Sequence, residues 1–341
     1  MTDPSKINAP FCVEVAEPEA QAAALADPHT LAVFRFDAAP ALDPARPRLV
    51  QVGLPALDQS NRIEIWRSPH VAETGQDGLF TFCRTPDLLL VHALVDEADY
   101  PSLEDAVEHL YHEFFAVLGR QGYPHQLRVW NYFHDINRES RKLERYRSFC
   151  LGRHRVLEAI PDFERTLPAA TAIGSHSPGL QLFALAAREP GEQIENPRQV
   201  SAFKYPEQYG PRSPSFSRAT VKRWGGQSHF YISGTASIVG HESRHTDDAV
   251  QQLDEIIANI DALLGEAHRV SGLGLASPTE LSLLKVYVRD PQEMPRIRER
   301  VEQHLGSHVP VIYLHGDICR ADLLVEIEAI YTGDCTGVRL D

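Results

Sequence analysis

The sequence contains no apolar run approaching the ~20 residues needed to cross a bilayer, so a membrane-spanning helix is not expected. It has no basic excess either: 33 Lys and Arg stand against 47 Asp and Glu, for a formal charge of -14. Phosphate contacts need a basic surface, so non-specific nucleic-acid binding is excluded as the main activity. Cysteine is scarce. The five present (Cys12, Cys83, Cys150, Cys319 and Cys335) are odd in number, scattered, and never spaced C-x-x-C. That usage points to reduced thiols in a cytoplasm rather than to a disulfide framework. The opening stretch, MTDPSKINAPFCVEVAEPEAQ, is acidic and lacks a basic-then-apolar signal segment. There is no phosphate loop and no G-x-S-x-G nucleophile elbow. Gly272-Leu-Gly-Leu-Ala-Ser277 lacks the third glycine of a dinucleotide fingerprint and reads as a turn.

What is there is an ordinary globular composition: 341 residues, 43% hydrophobic and 23% charged. At roughly 100–200 residues per domain, two domains are expected. The first 100 residues read as β-rich, with short apolar or alternating runs at 30–36, 48–53, 62–67, 79–84 and 87–94. A helix follows, capped by Ser102 and stopped by Gly122. Leu103, Ala106, Val107, Leu110, Tyr111, Phe114, Val117 and Leu118 recur along it at helical spacing. Strands are expected at 127–133, 170–173 and 180–187, and a second helix at 140–160. The polar segment 188–199 reads as a linker, dividing the chain into 1–199 and 200–341. Beyond it a strand (230–239), helix (247–268), strand (281–288), helix (293–305) and two strands (309–314, 323–330) restate the earlier order. The expected fold is α+β: two related modules, each a mixed sheet with helices on one face, the first carrying a β-rich extension.

Several groups bear chemistry. His241-Glu-Ser-Arg-His245 matches H-E-x-x-H, which binds zinc only when both His share one helical face. Here a β-like run precedes it and a helix cap follows it, so a loop is the expected setting. The stretch from Tyr205 to Arg218 packs two Tyr, two Arg and three Ser among prolines. Prolines stiffen such a loop, and guanidinium forks suit carboxylates; a ligand-free connector is the plainer alternative. The second helix and its lead-in form a cationic island that includes Arg153, suited to drawing in an anionic substrate, with a solvated helix face as the plainer alternative. Tyr146 and Arg153 lie two turns apart on a face expected to point inward, and an inward Arg needs an anion. On the last strand Glu326 and Glu328 share one face. A solvent-facing acid pair is the plainer alternative; if the face lines a cleft, a partly desolvated carboxyl there acquires a raised pKa and can donate a proton. Cys319, at the preceding turn, is placed either against the same cleft or as an inert buried thiol.

Two resemblances follow. Residues from about 213 onward resemble the RidA/YjgF family. The shared parts are Ser215-Phe-Ser-Arg-Ala219, Tyr231-Ile-Ser-Gly234, the helix with Asn259, Leu284-Lys-Val-Tyr-Val-Arg-Asp290 and Val325-Glu-Ile-Glu-Ala-Ile330. The first half looks like a degenerate copy. The whole chain resembles the chorismatases, which remove pyruvate from chorismate. That likeness is carried by Val129-Trp-Asn-Tyr132 with Ile136-Asn137, Glu195-Asn-Pro-Arg198, the Tyr205–Phe216 stretch, Ser233-Gly-Thr-Ala-Ser237 with Gly240-His241, and Cys319 with Glu326.

The resemblance implies a cytoplasmic, cofactor-free and metal-free enzyme acting on chorismate in a cleft between the modules. Glu326 would protonate the enolpyruvyl methylene. Tyr146, Arg153, Tyr209, Arg212 and Arg218 would hold the carboxylates, with Phe216, Gly234 and Ala236 completing the substrate site. A cysteine at the position of Cys319 marks members that form 3-hydroxybenzoate. Some of these also release 4-hydroxybenzoate, with Ala236 as one determinant. One departure separates the chain from simple RidA proteins: Val311, Ile312 and Tyr313 fill the region of their carboxylate-binding Arg. The rival readings are a RidA-like imine deaminase or metabolite-binding module, and a zinc hydrolase using His241, Glu242 and His245.

Overall fold

The protein is described from a computed structural model covering residues 9–58 and 61–333. Strands β1 (Cys12–Ala16), β2 (Thr30–Phe36), β3 (Leu49–Val52) and β4 (Ile63–Arg67) form one sheet, with helix α1 (Gln21–Ala26) after β1. The first module follows with β5 (Glu73–Asp77), β6 (Phe80–Arg84), β7 (Leu88–Val95), α2 (Leu103–Gln121) and β8 (His125–His134). It continues through the hairpin of β9 (Glu139–Ser140) and β10 (Leu143–Glu144), then α3 (Arg145–Leu157), β11 (Ala169–Ser175) and β12 (Leu180–Ala187). The second module opens with β13 (Glu192–Ile194), β14 (Ala219–Trp224) and β15 (Gln227–Ala236), then the hairpin of β16 (Ile238–Val239) and β17 (Glu242–Ser243). It closes with α4 (Ala249–Ser271), β18 (Leu283–Val288), α5 (Met294–Leu305), β19 (Val311–His315) and β20 (Val325–Tyr331). The segment expected as a linker thus contributes β13 to the second sheet.

The two six-stranded sheets have one topology. The first runs β5-β6-β7-β12-β8-β11 and the second β13-β14-β15-β20-β18-β19. In each, only the last pair is parallel; every other neighbour is antiparallel. This repeat of order and direction agrees with the expected pair of α+β modules.

Local chemistry explains the long helices. Ser102 Oγ accepts from the Asp105 N–H at 3.1 Å, and Gly122 ends α2 at φ 79°. Asp248 caps α4 and Gly272 closes it at φ 68°. The expected second helix starts later than its sequence indicates. Arg141 and Lys142 adopt φ of 53° and 68° between the paired strands β9 and β10, a tight hairpin turn that delays α3 to Arg145.

Helices α2 and α3 cover one face of the first sheet, and α4 and α5 one face of the second, each over its own apolar core. The remaining faces meet the four-stranded sheet in a third core rich in aromatic rings. Trp66 and Trp130 lie 6.0 Å apart there, and Trp130 stacks on Phe183 at 4.8 Å. Strand β12 is therefore buried on both faces, which explains its unbroken apolar run. Cys83, Cys150 and Cys319 are free thiols. Cys12 is engaged in a disulfide, a departure from the expectation of reduced thiols throughout. Cys335 lies outside the described residues. Among the described residues no helix is long and apolar enough to cross a membrane.

Candidate active site

Where the modules meet, edge strand β11 is stitched to the second sheet by polar contacts. The Ala169 N–H donates to Thr220 Oγ1 at 2.9 Å, and the Ala170 N–H to Ser233 Oγ at 2.8 Å. The Gly234 N–H donates back to Thr171 Oγ1 at 3.0 Å. At Ser233-Gly234 the register between β15 and β20 shifts, forming a bulge. The bulge faces Glu326. A Cβ at Gly234 would collide with Glu326 Oε1, so only glycine leaves that carboxyl room.

Beside this seam lies a cleft of about 770 Å³. It continues into a narrow recess that shares Tyr146, Phe216, Gly234, Cys319 and Glu326 with the outer part. Glu326 is 4% exposed. Burial, reinforced by the charge of Glu328, raises its pKa to about 8. Glu328 behaves oppositely. Burial works against its charge, yet Arg128, Lys285 and hydrogen bonds from Thr171 and Trp130 prevail, and its pKa is lowered. Two carboxyls on one strand face are thus driven apart, one kept as acid and one as carboxylate.

Arg153 lines the recess at 4% exposure, stacked 5.0 Å from the Tyr111 ring centroid. Its Nε and Nη2 have no hydrogen-bond partner. A buried guanidinium left in this state is costly unless an anion completes it. Arg218 lines the outer cleft, donates to Tyr205 Oη at 2.7 Å and keeps an unpartnered Nε. Tyr209 lies under the Arg320 guanidinium at 4.0 Å, and its hydroxyl meets His241 Nδ1 at 3.1 Å. Ala236 borders the cleft and pairs in register with Glu326. Burial, aided by the nearby Glu326, pushes the Cys319 thiol well up, and burial holds Cys150 at about 12. Neither is a thiolate near neutral pH, so both present small apolar walls rather than nucleophiles. The Tyr146 phenol is likewise held neutral by burial.

The structure therefore brings Glu326, Cys319, Tyr146, Arg153, Tyr209, Arg218, Phe216, Gly234 and Ala236 to one cleft. It does not bring Arg212, which is exposed and lines neither part. It adds Arg320, Asn131 and Thr171. Arg320 had only its place beside Cys319 to signal it. The zinc reading fails on geometry. The H-E-x-x-H residues straddle a hairpin instead of one helical turn. Their His rings turn to Tyr209 and to Glu255, the latter at 3.3 Å. Among the described residues no cluster of His, Cys, Asp and Glu fits a metal ion.

Fold and site together define the class: a two-module α+β enzyme whose cleft sets a carboxyl of raised pKa beside the guanidinium groups of Arg153, Arg218 and Arg320. Residues 64–186 match the family model described as chorismatase FkbO/Hyg5-like, N-terminal. A 3-hydroxybenzoate synthase of Streptomyces hygroscopicus is 36% identical over 305 residues, covering 85% of this chain and 87% of that protein. A chorismatase of Streptomyces rapamycinicus is 38% identical over 275 residues, covering 78% and 81%. A chorismatase crystal structure superposes with a TM-score of 0.85 at 30% identity, over 95% of this chain and 98% of that one. The chain belongs to the chorismatase family.

Proposed function

We propose that the protein cleaves chorismate to 3-hydroxybenzoate and pyruvate. The observation that carries this is the juxtaposition of Glu326, protonated at neutral pH, with an unpaired Arg153 in one recess. In this reading Arg153 holds one carboxylate of the substrate in the recess. Arg218 and Arg320, with Tyr209, take the other toward the mouth. Glu326 gives its proton to the terminal methylene of the enolpyruvyl group, leaving an oxocarbenium-like carbon. The new Glu326 carboxylate faces that positive carbon and stabilises it. The ring hydroxyl then displaces the ether oxygen, which departs as the carbonyl of pyruvate. The hydroxyl proton returns to Glu326, and the resulting epoxide opens to 3-hydroxybenzoate. Atoms balance without water, consistent with a cleft walled by Cys319, Cys150 and Phe149. Release of some 4-hydroxybenzoate, tuned by Ala236, belongs to the same reading.

Chromatography of products after mixing the protein with chorismate tests the proposal. Pyruvate should appear in an amount equal to the hydroxybenzoates together, with 3-hydroxybenzoate as the main isomer. Glu326→Gln should lose ~10²–10⁴ in turnover, the usual worth of a general acid. Unaltered turnover in that variant would remove Glu326 from the chemistry.

A further inference from the structure

Behind the cleft wall lies a polar cluster whose charged members line neither the cleft nor its recess, and which reaches the recess only through Thr171. Glu328 Oε2 accepts from Arg128 Nη2 at 2.7 Å and from Thr171 Oγ1 at 2.6 Å. Its Oε1 accepts from Trp130 Nε1 at 2.7 Å, with Lys285 Nζ 3.4 Å away. Lys285 Nζ also lies 2.8 Å from Glu64 Oε2, and Glu64 Oε1 accepts from Trp66 Nε1 at 2.7 Å. Arg128, Glu64, Lys285 and Glu328 are all at most 2% exposed. Two acids and two bases give the quartet no net charge, and its members come from β4, β8, β18 and β20. Stability alone is a poor reason for such a cluster. Desolvating four ions costs as much as their attraction returns, and apolar residues of similar volume often serve as well.

The cluster's position gives it a second use. Glu328 stands two residues after Glu326 on the same strand face, roughly 6–7 Å along the chain. Through Thr171 Oγ1 it also joins the N–H of Gly234, the residue against which Glu326 rests. Only one of the two carboxyls is neutralised. Among the described residues Glu326 has no ion pair and no hydrogen-bond donor at its carboxyl. We propose that Glu328 is a positioning residue for the proton: clamped as a carboxylate by Arg128 and Lys285, it holds the proton on Glu326 and draws it back after each transfer. This rests on the reading of Glu326 as the general acid. Donation would leave two carboxylates side by side in a dry wall, and their repulsion favours reprotonation of the unclamped one.

Several other groups face Glu326. Arg128 of β8 and Arg218 before β14 act against the proton. Tyr146 and Cys150 of α3 and Cys319 before β20 are neutral. Arg153 and Arg320 line the same cleft and await the substrate's carboxylates in the proposed reading. The raised pKa of Glu326 has Glu328 as its largest electrostatic cause after burial.

The experiment is the pH profile of kcat/KM for Glu328→Gln with chorismate. The descending limb, near pH 8 in the parent, should move about one to two pH units lower, with activity regained at low pH. The double variant Glu328→Gln/Lys285→Met restores neutrality and should move the limb part of the way back. Lys285→Met alone leaves an excess carboxylate and should move it upward. It serves equally if Glu328→Gln fails to fold. A uniform loss at every pH with the limb unmoved would reduce Glu328 to a structural part and overturn the proposal. The ¹³C shift of the Glu326 carboxyl, titrated without substrate, reads the same displacement independently of turnover. Failure of the acid assignment itself would show as full activity in Glu326→Gln, so the two failures are distinguishable.

Discussion

Replacing Glu326 by Gln removes one titrating proton while keeping shape and volume, so the fold should report the change through its stability. The carboxyl titrates at an ordinary 4.5 in the unfolded chain and at about 8 in the folded protein. Below pH 4.5 both states hold the proton and the group has no effect on stability. Between 4.5 and 8 the unfolded chain releases it and the folded protein retains it. The folded state then binds more protons, so stability falls as pH rises, by about 1.4 kcal/mol per pH unit from this one group. Above 8 both states are ionised and the loss levels off, at about 5 kcal/mol in all. Glutamine carries none of this. The variant and the parent should therefore melt together near pH 4.5 and separate progressively toward pH 8.5, the variant ending several degrees higher. Other titrating groups are common to both and cancel in the difference. Thermal melts at half-unit pH intervals give the comparison. If the two melting curves run parallel from pH 5 to 8.5, the fold does not hold the proton on Glu326, and the chemistry built on that proton falls with it.

Arg153→Met removes the unpaired buried guanidinium. KM for chorismate should rise ~10–150-fold, the worth of a charge-assisted hydrogen bond, while the melting temperature stays level or increases; an unchanged KM would take Arg153 out of the substrate site. Gly234→Ala drives a methyl into Glu326 Oε1, so kcat should fall at least ~10-fold, the lower range for a misplaced acid, with KM moving little. Steady-state kinetics at parent levels would mean that the carboxyl has room to rotate aside. Cys319→Ala opens the wall beside Glu326 to water, and the products should shift from 3-hydroxybenzoate toward the hydrated cyclohexadiene. An identical chromatogram would show that the thiol does not steer the route.

Elements whose faces are uniform were legible in the chain. Strands β2 and β12 and the helices α2 and α4 carry apolar periodicity, and their caps are local. Strand β5, ETGQD, has no buried residue to mark it, and the Arg141-Lys142 turn uses backbone conformations that those residue types rarely advertise. Of the site, the acid on β20 and the inward Arg on α3 could be read because alternation and helical spacing fix which way a side chain points. Arg212 could not be told from Arg218 in one loop, since proximity in sequence says nothing about which guanidinium turns inward.

The sequence by itself determined the repeated strand and helix order, the shared face of Glu326 and Glu328, and the cations available to meet an anion. These depend on local periods of two and 3.6 residues. Only the tertiary structure decided that one of those glutamates is an acid and the other a salt. Arg128 reaches Glu328 across 200 positions, and Lys285 joins it from a neighbouring strand. A carboxyl's charge is set by what surrounds it, and those surroundings come from strands far apart in the chain.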